Sequence, residues 1–241
     1  MACILHIETS TDICSVALSQ DGALLYEDES REGHRHAEVL APFVRDAVSF
    51  ADSHAIPLDA VAVSSGPGSY TGLRIGVSEA KGVCYGRSLP LISVPTLQLI
   101  CVPALLGEEV EEGTLLCPMI DARRMEVYAA VYDRALREVR PAQADIVDEG
   151  TYRKLLDEQP VLFLGNGAAK CHDIIRHPNA RFADGAVPRA RNMFPLAERR
   201  FLQGTVEDTA YFEPFYLKAY QAGAPRNPLE NLSRTENEYT K

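Results

Sequence analysis

Apolar and polar positions follow two rhythms along this chain. Ile4–Ile7 is a short apolar run that stops at Glu8. A polar turn, Thr9-Ser10-Thr11-Asp12, follows, and Cys14–Ser19 alternates with the two-residue period of a strand. Gln20-Asp21-Gly22 supplies a hairpin turn, because glycine takes positive φ without steric cost, and Ala23–Glu27 makes a third strand. The opening therefore predicts a three-strand antiparallel meander. The rhythm then turns helical: Val39, Leu40, Phe43, Val44, Ala47 and Phe50 recur at three-to-four spacing and form one buried face. A strand at Val61–Ser65, a tight loop at Gly66-Pro67-Gly68-Ser69-Tyr70 and a helix from Thr71 to about Tyr85 come next. They are followed by a strand at Leu91–Val94 and, after Pro95, a helix over Thr96–Leu106.

The charged stretch Glu108–Gly113 reads as a boundary, and what lies beyond it repeats the opening. Leu115–Ile120 is a strand ending at Asp121. A polar turn, Ala122-Arg123-Arg124, leads into an alternating strand at Glu126–Tyr132 and a short third strand at Arg137–Arg140. A helix over Glu149–Glu158, a strand at Val161–Leu164, Gly165-Asn166-Gly167 and a helix over Ala168–Arg176 complete the unit. Each half thus opens with a strand, an acid, a hairpin and a second strand, the pattern of a structural duplication. Pro214-Phe215-Tyr216-Leu217-Lys218 is a late aromatic stretch. The polar segment after Gly223 is too poor in large apolar residues to offset its ordering entropy, so mobility is expected there.

Composition narrows the classes. The chain carries 24 Lys and Arg against 34 Asp and Glu, a net charge of −10, which is not the footprint of a stand-alone nucleic-acid binder. No apolar run approaches the roughly 20 residues of a membrane span, and the start has no basic segment of the kind that opens a signal peptide. The six cysteines form no C-x-x-C and no zinc spacing; most lie in apolar runs and read as buried thiols of a reducing cytoplasm.

Candidate chemistry is tested motif by motif. Gly66 to Gly72 fails the Walker A spacing, and Leu73-Arg74 stands where Lys-Ser/Thr is needed. The third glycine falls one residue late for a dinucleotide fingerprint, and no register gives Gly-x-Ser-x-Gly. His34-x-His36 with Glu38 could pinch a metal, but reads better as a polar helix start. Glu8 and Asp121 hold equivalent places, where acids would organise a metal-bound phosphate. That role needs glycine two residues on, and Ser10 and Arg123 stand there instead. The helix after the glycine loop carries Gly72, Gly76, Ala80 and Cys84 every four residues. They form a small-residue stripe for close backbone approach, either within the chain or to another subunit.

Taken together, these segments resemble the bacterial TsaB (YeaZ) family. The resemblance rests on Ile7-Glu8-Thr9-Ser10-Thr11 with Ser15-Val16-Ala17-Leu18, and on Gly66-Pro67-Gly68-Ser69-Tyr70-Thr71-Gly72-Leu73-Arg74-Ile75-Gly76 with Ala80-Lys81-Gly82. Ile120-Asp121-Ala122-Arg123 with Glu126-Val127-Tyr128, Pro214 and Tyr216-Leu217-Lys218 add to it, so that it spans about residues 4–220. Glu8 stands where relatives usually have Asp, and Tyr70 where many have Phe.

The resemblance implies an α/β, two-domain actin-like (ribonuclease H-like) duplication of mixed sheets flanked by helices. Residues 1–107 would form the first domain, completed by 208–222; residues 108–207 would form a smaller second domain; 223–241 would be a mobile tail. It implies a non-catalytic scaffold of the complex that makes N6-threonylcarbamoyladenosine at position 37 of tRNA. A TsaD paralogue and the ATPase TsaE would be its partners, it would be a homodimer when alone, and it would meet tRNA through the complex. The subunit interface would lie on Gly72, Leu73, Gly76, Val77, Ala80 and Cys84. Glu8, Thr9, Ser10, Asp121 and Arg123 would be a vestigial nucleotide cleft. No catalytic or metal-binding residue and no cofactor of its own are implied, with ATP or ADP a candidate at a junction between subunits. The competing readings are a kinase or ATPase of the same fold and a metallopeptidase-like protein.

Overall fold

Near-continuous apolar runs such as Cys3-Ile4-Leu5 and Val61-Ala62-Val63 favour strands that bury both of their faces. In the computed structural model, which describes residues 2–33, 35–107 and 110–218, β1 (Cys3–Glu8) is buried along its whole length. It pairs antiparallel with β2 (Cys14–Gln20), which pairs with β3 (Ala23–Ser30). On its other side β1 runs parallel to β4 (Ala60–Gly66), and β4 to β5 (Leu91–Pro95), giving the order β3-β2-β1-β4-β5. The crossovers are α1 (His36–Ser53) and α2 (Tyr70–Arg87). Both cover one face of the sheet, where Leu5, Ile7, Val16 and Leu18 meet Leu40, Val44, Val77 and Ala80. Each of these buried Val, Leu and Ile side chains contributes about 1.5–3 kcal/mol.

The second half repeats this plan. β6 (Leu115–Asp121), β7 (Glu126–Tyr132), β8 (Glu138–Ile146), β9 (Val161–Leu164) and β10 (Ala180–Ala183) form a sheet in the order β10-β9-β6-β7-β8, the same topology as the first. The duplication expected from the sequence is therefore present as two mixed sheets. α3 (Thr96–Leu106) lies between them. Leu97, Ile100, Cys101 and Ala104 pack on the second sheet, and Leu99 and Val102 on the first. That double burial explains why the helix is apolar all round.

Several boundaries differ from expectation. β8 runs to Ile146, well past Arg140, because it stays paired with β7 through Glu126↔Ile146. The expected helix over 149–158 shrinks to α4 (Arg153–Glu158), and that over 168–176 to a 3₁₀ turn at Ala169–Cys171. β10 and α5 (Phe194–Leu202) are further elements beyond those expected. The chain also returns to the first domain earlier than residue 208. A 3₁₀ turn at Ala190–Asn192 packs on β2, with the Ala190 amide donating to Ser15 Oγ at 2.9 Å. Met193, Leu196 and Ala197 then fill the core beside Ile4, Ala62 and Val94. The apolar face of this return segment matches the second face of the first sheet, which α1 and α2 leave uncovered. The expected mobile tail, 223–241, lies outside the described residues, as do 219–222 of the completing segment, His34 and the start of the charged boundary stretch at 108–109.

Candidate functional site

The Thr9–Ser10 turn after β1 is where the glycine motif is used. Ser69 caps α2, its hydroxyl accepting from the Gly72 amide at 3.3 Å, while the Ser69 amide donates to the Ser10 carbonyl at 2.7 Å. A Cβ at Gly68 would overlap the Ser10 carbonyl oxygen. At Gly72 it would overlap the Thr9 carbonyl oxygen, and at Gly76 the Thr9 hydroxyl. The four-residue glycine spacing thus lets α2 lie directly against the hairpin turn of its own chain.

This corrects the interface expected from the sequence. Gly72, Leu73, Gly76, Val77, Ala80 and Cys84 are all buried within the chain, facing β1, β4 and α1, so they are not a surface for another subunit. The outward side of α2 carries Arg74, Ser78, Gly82, Tyr85 and Gly86. Tyr85 is 88% exposed, and nothing lies within 4 Å of a Cβ built at Gly82 or Gly86.

The five residues of the expected cleft are not brought together around one open space. Glu8, Thr9 and Ser10 are buried. The Glu8 carboxylate accepts from the Ser10 amide at 2.6 Å and from the Ser10 hydroxyl at 2.5 Å. Its second oxygen has no partner among the described residues. Burial pushes its pKa up to about 7, against the opposing pull of the Ser10 amide and hydroxyl. Two residues back on the same face, His6 is fully buried with Nε2 2.7 Å from Ser19 Oγ, and burial lowers its pKa to about 3. The imidazole is therefore neutral.

In the second hairpin, Asp121 and Arg123 are exposed. Lys170 Nζ lies 2.5 Å from Asp121 Oδ1 and donates to the Arg124 and Glu126 carbonyls, each at 2.7 Å. The Arg123 amide donates to the same carboxylate at 2.8 Å. Partial burial pushes the Asp121 pKa up, but Lys170 and the Arg123 amide outweigh it and hold the group below its ordinary value. Lys170 is a partner that sequence reading did not single out; it lies 49 positions from Asp121, and no periodicity links them. Gly165 and Gly167 press against Met119 and Ile120 at the end of β6, the counterpart of Gly68 against Ser10.

Two cavities adjoin these elements. One, of about 400 Å³, is bounded by Asn166, His172, Asp173, Phe182 and Asp184. The other, of about 340 Å³, opens between the two sheets and is bounded by Pro67, Gln98, Tyr132, Glu138, Pro141 and Phe215. Neither is lined by Glu8, Thr9, Ser10, Asp121 or Arg123.

The C-terminal described segment straps both halves. The Glu207 amide donates to the Leu91 carbonyl at 2.8 Å and the Phe215 amide to Ser65 at 2.7 Å. The Tyr216 ring packs on Tyr70 with centroids 4.7 Å apart, and Lys218 pairs with Glu126. Of the metal candidate, His34 is outside the described residues, and Glu38 is paired with Arg35 at 3.0 Å. Among the described residues no group of three or more His, Cys, Asp or Glu could hold a metal ion. All six cysteines are free and buried, and no described helix is long and apolar enough to cross a membrane.

Comparison with known proteins extends these observations. The family model for TsaD, tRNA N6-adenosine threonylcarbamoyltransferase, matches residues 30–224. The chain is 31% identical over 223 residues to the tRNA threonylcarbamoyladenosine biosynthesis protein TsaB of Escherichia coli K12, covering 89% of this chain and 94% of that one. It is 28% identical over 229 residues to the protein of the same name from Haemophilus influenzae, covering 89% and 93%. Among solved structures, YeaZ from Pseudomonas aeruginosa superimposes with a TM-score of 0.76 at 26% identity, covering 90% of this chain and all of that one.

Proposed function

Because the chain belongs to the TsaB family, we propose that it is the non-catalytic scaffold and activating subunit in the synthesis of N6-threonylcarbamoyladenosine at position 37 of tRNA. A role in this biosynthesis is what the relatives' name carries; the scaffold role rests on the site. Both acids that an actin-like phosphotransferase would use are already committed. Glu8 is sealed beneath the Ser10 turn, and Lys170 sits on Asp121. The second is the observation that carries the reading, since an ammonium 2.5 Å from the carboxylate stands where a cation on a phosphate would have to bind.

In this reading the outward face of α2 meets a TsaD paralogue, or a second copy of this chain when the paralogue is absent. Ser78, Gly82 and Gly86 leave room there for a helix to approach closely, and Tyr85 offers an aromatic anchor. TsaE joins the assembly, and ATP or ADP is held at a junction between subunits.

The test is depletion of this chain in its own organism, with mass spectrometry of tRNA nucleosides. Loss of threonylcarbamoyladenosine, restored by the wild-type chain, is expected. An unchanged level would remove the pathway reading. Purified chain, mixed with its TsaD paralogue on a sizing column with light scattering, is expected to give a one-to-one species. Threonylcarbamoyl transfer or ATP turnover by the chain alone would overturn the non-catalytic role.

A further inference from the structure

The β6–β7 hairpin spends backbone strain to present charge. Arg123 and Arg124 have φ of +70° and +50°, the left-handed region that glycine and asparagine favour. Two consecutive arginines there are an unfavourable choice for a turn, and both are exposed. Neither guanidinium makes a hydrogen bond or ion pair with another described residue, although Arg123 lies in the field of Asp121. The turn is held from below. The Arg123 amide is fixed by Asp121 at 2.8 Å, and the Arg124 carbonyl by Lys170 at 2.7 Å.

The surrounding charge reinforces the pattern. The two carboxylates beside the hairpin are each neutralised, Asp121 by Lys170 and Glu126 by Lys218. Four cations thus face two paired acids, in a chain whose net charge is −10. Two residues before Lys218, Tyr216 packs on Tyr70, and Arg74 donates to the Tyr70 hydroxyl at 3.0 Å. An aromatic and mainly basic strip, interrupted by the exposed Glu213 near Tyr216, therefore runs from the start of α2, along the C-terminal strap, to the hairpin. Guanidinium forks grip phosphate oxygens in pairs, and alternating cations and rings suit a nucleic-acid backbone with its bases.

We propose that this strip is an RNA contact surface, in which Arg123 and Arg124 bind backbone phosphates of the tRNA. The proposal rests on the pathway reading for the identity of the RNA. The net charge of −10 repels RNA at a distance, and salt screens the strip beyond about 8 Å, so it acts once the RNA is already held by the assembled complex.

The test uses Arg123→Asn with Arg124→Gly, which removes both charges while supplying residues that the left-handed turn favours. The full chain, in complex with its TsaD paralogue, is titrated with unmodified tRNA between about 50 and about 300 mM salt. Binding is expected to weaken about tenfold, with the logarithmic salt dependence shallower by about 1.5, as for two lost phosphate contacts. The melting temperature is expected to hold or rise. A control, Arg134→Gln with Arg176→Gln, removes the same charge from other exposed positions and is expected to leave binding unchanged.

Unchanged affinity and salt slope in the hairpin variant would overturn the proposal. So would an equal loss in the control, absence of tRNA binding by the wild-type complex, or weakened ATP binding in place of weakened tRNA binding. Failure here is separable from failure of the pathway reading: nucleoside analysis of depleted cells reports on the pathway whatever the hairpin does.

Discussion

Lys170 Nζ sits 2.5 Å from Asp121 Oδ1, so the acid that ends β6 is answered by a cation from the turn after β9, the strand paired beside it. The same ammonium satisfies the Arg124 and Glu126 carbonyls. Lys170→Met keeps most of the apolar stem, one atom shorter and without the ammonium, and strands three acceptors. The expected loss is about 1–2 kcal/mol, small for three bonds because Asp121 is half exposed and water can replace part of the interaction. Urea denaturation at neutral pH measures it, and a variant as stable as the parent would show that the hairpin is held by other means.

Gly76 and Gly82 lie on opposite sides of α2 and predict opposite results. Gly76→Ala drives a methyl group into the Thr9 hydroxyl, and overpacking of this kind costs about 1–3 kcal/mol. Gly82→Ala meets open space and removes a helix-interior glycine, so it is expected to stabilise by up to about 1 kcal/mol. Gly82→Leu should leave the fold intact and reduce self-association or pairing with the TsaD paralogue, read by light scattering. Unaltered association in a folded Gly82→Leu protein would exclude the outer face of α2.

The buried Glu8 sets a pH dependence with a definite sign. Its folded pKa, about 7, lies above the ordinary value of 4.5, so the folded state binds the proton more tightly than the unfolded state does. The stability associated with the protonated acid is fully present below about pH 4.5 and is lost as pH rises through about 7, a change on the order of 3 kcal/mol. Glu8→Gln is expected to flatten this part of the profile. Urea midpoints between pH 5 and pH 8 for both proteins check it; parallel profiles would mean that Glu8 does not titrate in that window.

Asp145 is buried in the second domain and accepts from Tyr152 Oη at 2.6 Å and from Arg140 Nη2 at 2.5 Å. Tyr152→Phe removes one of these two donors while keeping the ring against Phe163. The expected cost is about 1–2 kcal/mol, since a buried carboxylate loses a charge-assisted bond that water cannot readily replace. Thermal or urea unfolding of the folded variant reads it directly.

Local patterning was enough for most of the first domain. Strands with buried faces and the helices α1 and α2 are encoded by residues that are neighbours in sequence, and the small residues from Gly66 to Gly76 mark the close backbone approach that the Thr9–Ser10 turn makes. Where patterning fell short, distant residues decide the outcome. α4 ends up shorter than its sequence window, and Ala168–Arg176 reduces to a 3₁₀ turn where Gly167 and Ala168 pack under β6. α5 has a plain apolar face, yet its place became clear only from the uncovered side of the first sheet.

The candidate site divides the same way. The sequence by itself determined the duplicated α/β plan, the family, the acids at the two strand ends and the small-residue helix, because each is written in residue type and short-range spacing. The tertiary structure decided which side of α2 is filled by the chain's own Thr9–Ser10 turn, that Lys170 closes on Asp121, and that Glu8 is sealed from solvent. Those outcomes depend on contacts between residues far apart along the chain, whose distances and burial no local period encodes.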